Sequence, residues 1–201
     1  PGGADHTLVG IALGAYGLAQ AVLQVPFGFA SDRWGRKPVI IAGLVIFALG
    51  SFVAAWAPTI HWTIAGRVLQ GAGAISAAVL ALTADLTRDA VRTRAMAAIG
   101  MTIGATFALS LIAGPLLTNV IGVPGIFVLT GVLALGAIVL LLRLVPDPGA
   151  PSRPQDTPAQ WRRVLIDRDL LRLNYGIFAL HAALMALFVQ VPFMLRDNGV
   201  A

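Results

Sequence analysis

Four charges fall within six residues at Asp32, Arg33, Arg36 and Lys37, inside the stretch GFASDRWGRKP, in a chain that is 58% hydrophobic and 11% charged. Asp32 and Arg36 are four apart, the spacing that brings side chains together on a helical turn. Gly28 and Gly35 have no Cβ, so they permit close helix approach and a tight turn. A carboxylate placed here can also receive the N-terminal N–H groups of a neighbouring helix. The grouping reads as a latch that grips adjoining helices. Arg67 is a second candidate, the only basic residue well inside an apolar run. It lies about seven residues, or roughly 10 Å, from the start of that run. A cation there either finds a partner or snorkels its head toward water. Tyr16, Gln20 and Gln24 recur every four residues and trace one polar stripe, which suits a cavity wall or interhelical hydrogen bonding. His181 is the one group within an apolar run that titrates near neutral pH. A proton-handling role and a plain hydrogen-bonded histidine both fit it. Gln190, in VQVPF, reads as a residue lining a pathway at a bend.

These residues need elements to hold them, and the composition says which. Mean hydropathy is +0.85, whereas soluble domains carry roughly 25% charged residues. A helix needs about 20 mostly apolar residues to cross a bilayer. Six such runs lie near residues 7–31, 38–57, 60–83, 95–119, 122–145 and 174–195. Alternating strand-length segments are absent, which argues against a membrane barrel. The expected fold is an all-α, polytopic bundle of six transmembrane helices. The sequence pI of about 11.0 does not indicate nucleic acid, because the basic residues sit in short connections. There is no cysteine, so no disulfide argument applies.

The connections alternate in charge. Twelve of the fourteen Lys and Arg fall in the first, third and fifth, which places those three in the cytoplasm. The opening PGGADH and residues 196–201 then lie outside. The fifth connection begins VPDPGAPSRPQDTP, rich in Pro, Gly, Ser and Asp, and reads as a linker. After it, Trp161, Val164 and Leu165 alternate with Arg162, Arg163 and Arg168. This suits an amphipathic helix on the inner membrane surface, or an extension of the last span. Gly10, Gly14, Gly17 and Ala21 form a small-residue stripe suited to close packing, and Gly100 and Gly104 read likewise. Gly114 and Pro115 should bend the fourth span, because proline removes a backbone donor.

GFASDRWGRKP resembles the signature of the major facilitator superfamily between its second and third helices: Gly, three residues, Asp, Arg, any, Gly, Arg, Lys. IAGRVLQGAGA resembles a second motif of that family, with Arg67, Gln70, Gly71 and Gly73 at its marked positions. SLIAGPLLTN matches a third in part. Gly114 and Pro115 are present, but Thr118 and Asn119 stand where the antiporter form has a glycine pair. GAYGLAQAVLQVPFG, SDRWGRKPVI and DLTRDAVRTRAMAAIG look closest to a drug/proton antiporter-like group of bacterial transporters.

The resemblance implies that the chain corresponds to helices two to seven of twelve. Residues 1–145 would be the N-terminal half without its first helix. Residues 146–172 would be a cytoplasmic linker with an amphipathic helix, and 173–201 the first helix of the other half. It implies a secondary active transporter of the bacterial inner membrane, moving a small molecule with protons. Gly28, Asp32, Arg33, Gly35, Arg36, Lys37 and Asp85 would form the gating charge cluster. A cap on the turn ADLTR is the other reading of Asp85. Arg67 would be tied to proton coupling, and Tyr16, Gln20, Gln24, Gln70 and Gln190 to a substrate cavity. The expected partners are substrate, protons, lipid and the rest of the same transporter chain; no cofactor, metal or nucleic acid is implied. An importer of the same fold and a non-transporting receptor or scaffold remain alternatives. An intramembrane enzyme is disfavoured, because no nucleophile–base pair, metal-ligand cluster or carboxylate pair lies within the spans.

Overall fold

The computed structural model describes residues 6–148 and 166–197, and every element among them is a helix. They are α1 (His6–Trp34), α2 (Arg36–Ala55), α3 (Ile60–Ala72), α4 (Ser76–Leu86), α5 (Asp89–Leu144) and α6 (Arg168–Asp197). Helix is the expected outcome for long apolar runs in lipid, since only there does each run satisfy its own backbone. Among the described residues five helical segments are long and apolar enough to cross a membrane, one of them Asp89–Leu144 with 56 residues. A straight helix of that length would measure about 84 Å, far beyond a bilayer core of about 30 Å. Gly122, with φ 68° and ψ 173°, interrupts it. Its two arms, 89–121 and 123–144, are each long enough to cross, so the expected six crossings are kept by length.

Two boundaries differ from the sequence reading. The third span is not continuous: residues 73–75 separate α3 from α4. At the break the chain lies tight against α2. A Cβ on Gly73 would lie 2.5 Å from the Gly43 carbonyl, and one on Gly43 would lie 2.2 Å from Ile75 Cγ2. The last helix begins at Arg168, earlier than the expected 174. Asp167 Oδ1 caps it, accepting from the N–H groups of Asp169 at 2.9 Å and Leu170 at 3.1 Å. Trp161 to Leu165 of the expected amphipathic segment lie outside the described residues.

The chain divides into two compact units near residue 153, so α6 stands by itself. In the first unit α2 is central, packing on α3 and on the second arm of α5, while α1 packs on α3. Glycines set the α2–α3 crossing. A Cβ on Gly50 would lie 2.4 Å from the Gln70 nitrogen, and one on Gly66 2.7 Å from the Ala54 nitrogen. Gly71 lets α3 reach α1, at 2.2 Å from the Tyr16 carbonyl by the same measure. The expected stripe does not serve this purpose. No atom lies within 4 Å of a Cβ built on Gly10, Gly14 or Gly17, nor on Gly100 or Gly104. The reason is that α1 turns its Tyr16 and Ala19 face to α3, leaving the glycine face open. The first arm of α5 is likewise exposed at Met101, Ile103, Leu109, Ile112 and Leu116. Ile40, Ala78, Leu82 and Leu141 form a buried core, one turn below the ends of α2, α4 and α5. Trp34, Trp56 and Trp62 are exposed at helix ends, as interfacial tryptophans are.

Candidate functional site

The charged turn is built by one glycine. Gly35 has φ 95° and ψ 152°, a region closed to residues with a Cβ. That reversal ends α1 at Trp34 and starts α2 at Arg36. Pro38 then falls in the first turn of α2, where no backbone donor is required. Gly28 is different, since a Cβ there would meet Ala77 Cβ at an ordinary 3.9 Å. Nothing in this unit's packing demands glycine at that position.

Arg36 is the hub. Its Nη1 pairs with Asp32 and donates to Ser31 Oγ at 2.9 Å. Its Nε donates to Asp85 Oδ2 at 2.9 Å. One guanidinium thus ties the end of α1 and the start of α2 to the end of α4. Asp85 makes this ion pair, and Arg88, at the N-cap of α5, makes no side-chain capping bond. Ser31, 1% exposed, passes its own hydrogen to the Gly28 carbonyl at 2.8 Å. Its lone pairs therefore face Arg36. Lys37 Nζ donates to the Val145 carbonyl at the end of α5, where the helix dipole is negative. Arg33 is exposed.

Arg67 lies deeper. Its guanidinium stands 4.5 Å over the Tyr16 ring, and Nη1 donates to Gln70 Oε1 at 2.9 Å. Arg67 forms no ion pair among the described residues. Gln70 is 2% exposed, so it stands between helices and not on an open cavity wall. Its Nε2 donates to Ser51 Oγ at 2.7 Å. Gln20 Nε2 reaches Ser76 Oγ at 3.5 Å, beside the break in the third span. Gln24 Oε1 is buried with no hydrogen-bond partner among the described residues. The polar stripe of α1 therefore faces α3 and α4.

Four further residues were marked by the sequence. On α6, His181 Nδ1 is 3.0 Å from the Ile177 carbonyl, which can only accept. Gln190 is exposed on the same helix. Helical torsions continue through Gly114 and Pro115, and the departure comes at Gly122. Ser31, Ser51 and Thr130 escaped the sequence reading. For Ser51 a signal was available, since a hydroxyl alone in an apolar run must find a bond.

A bundle of membrane-length helices, locked at one end by charge and carrying an inward arginine, is the architecture of a membrane transport protein. The chain belongs to the Major Facilitator Superfamily, whose pattern it matches over residues 3–200. It is 46% identical to the Inner membrane transport protein YajR of Escherichia coli (strain K12), over 98% of this chain and 44% of that protein. It is 31% identical to an uncharacterized transporter of Buchnera aphidicola subsp. Acyrthosiphon pisum, over 98% of this chain and 52% of the relative. The class B tetracycline resistance protein of Escherichia coli is 32% identical over 56% of this chain and 27% of its own length. The likeness to a YajR-type transporter thereby holds over the chain as a whole. The chain spans about half the length of these curated relatives.

Proposed function

We propose that the intact protein is a secondary active transporter of the bacterial inner membrane that exports small molecules in exchange for protons. The observation that carries this reading is Arg67, a permanent cation set within a span against Tyr16 and Gln70. An arginine does not titrate. It acts on protons by favouring the ionised form of an acid brought beside it. In this reading that acid lies outside the described residues. Tyr16, Gln20 and Gln24 supply one wall of the substrate path; on α6, Gln190 is a further substrate-binding candidate and His181 a proton-coupling candidate. The Asp32–Arg36–Asp85 cluster, framed by Gly28, Arg33, Gly35 and Lys37, is the cytoplasmic gate. It holds the outward-facing state, and transport proceeds by rocking of two halves around a central site.

The test is transport by the full-length protein in proteoliposomes with an imposed pH gradient, across a panel of small amphipathic compounds. Arg67→Ala abolishes gradient-driven movement, and His181→Ala retains it. Extrusion against the gradient identifies an exporter, and accumulation with it an importer. A pH gradient that drives none of the panel overturns the transporter reading in favour of a scaffold.

A further inference from the structure

We propose that Ser51 is a positioning residue for Arg67, acting through Gln70. This rests on the reading that Arg67 couples transport to protons. Ser51 is 0% and Gln70 2% exposed, on α2 and α3, and neither belongs to the charge cluster. Hydrogen-bond polarity fixes the order of the three groups. Ser51 has one hydrogen, and Oγ gives it to the Phe47 carbonyl at 2.8 Å. Toward Gln70 it can therefore only accept, which selects the amide nitrogen at 2.7 Å. With the nitrogen so committed, Oε1 must point the other way. There it accepts from Arg67 Nη1 at 2.9 Å. An arginine has donors only, so a reversed amide would set N–H against N–H. Thr130 on α5 stands 3.5 Å from Ser51 Oγ and gives its own hydrogen to the Phe127 carbonyl at 2.9 Å. It does not take the acceptor that Gln70 uses. The Gly50 approach, 2.4 Å from a built Cβ to the Gln70 nitrogen, pins the backbone from which the amide projects. Ser51 thus decides which end of Gln70 the guanidinium meets, without touching Arg67 itself.

The experiment uses the full-length protein and phenylglyoxal, which attacks guanidinium groups, with mass spectrometry resolving each arginine. Ser51→Ala is expected to raise labelling at Arg67 about fivefold, the factor that one hydrogen bond of ~1 kcal/mol represents, with labelling at Arg143 unchanged. Gln70→Leu should give at least that rise, and adding Ser51→Ala to it should give no more. Ser51→Cys, with a weaker acceptor in similar volume, should fall between and serves if the alanine variant folds poorly. Unchanged Arg67 labelling in Ser51→Ala while Gln70→Leu raises it overturns the relay, as does an equal rise at every arginine. Gradient-driven transport of a compound from the panel is measured alongside. Faster Arg67 labelling with transport intact upholds the relay and removes the coupling role from Arg67, so the two readings fail separately.

Discussion

Arg36 stands between two carboxylates, and that arrangement predicts an unequal response to mutation. Asp85→Asn leaves Arg36 with Asp32. Arg36→Ala instead leaves Asp32 and Asp85 facing one another with no cation between them. Arg36→Ala should therefore lower the melting temperature more than Asp85→Asn, and the double variant should recover part of the loss. The pairs are partly exposed, at 19% for Arg36, 35% for Asp32 and 42% for Asp85, so each is worth at most about 1 kcal/mol. Gly35→Ala should cost more, about 1–3 kcal/mol, because no other residue is at ease in that backbone region. Thermal unfolding in detergent checks both. A Gly35→Ala variant as stable as wild type would refute the role assigned to the turn.

Helices meet in this unit where glycine lets backbones touch. Gly50→Ala sets a methyl group 2.4 Å from the Gln70 nitrogen, and backbone cannot step aside cheaply. Gly136→Ala meets nothing within 4 Å and gains helix propensity worth ~1 kcal/mol. The first should destabilise and the second should not, by unfolding of the same preparation. The membrane-length helices were legible in hydropathy, because burial in lipid is a property of whole runs. The glycine contacts were not, because a helix offers several small-residue faces and only tertiary packing selects one. Gly10, Gly14 and Gly17 looked as suitable as Gly43, Gly50 and Gly66. The break at 73–75 was hidden for a related reason: hydropathy averages over a span and does not register three residues. Asp32 and Arg36 could be paired from their spacing alone, while Asp85, 49 positions from Arg36, needed the fold or the family resemblance. Ser51 carried a weak signal as a lone hydroxyl, but the order of its bonds is visible only in three dimensions.

For the molecule as a whole, the charge cluster joins α1, α2 and α4 at a single end, and under the proposed transport cycle loosening it should act on the balance between states more than on folding. Asp32→Asn in the intact protein should shift alternating access toward the inward-open form. Cysteine labelling from each membrane face reads this shift. Unchanged labelling on both faces, with unchanged transport, would discard the gate. Lys37 adds a consequence of its own. Its ammonium holds the Val145 carbonyl one residue along the chain from Arg36, so the root of the inter-unit connector is leashed to the clasp. Any motion that unfastens the clasp slackens the leash, and a dye attached at residues 146–148 would flicker in time with each turnover.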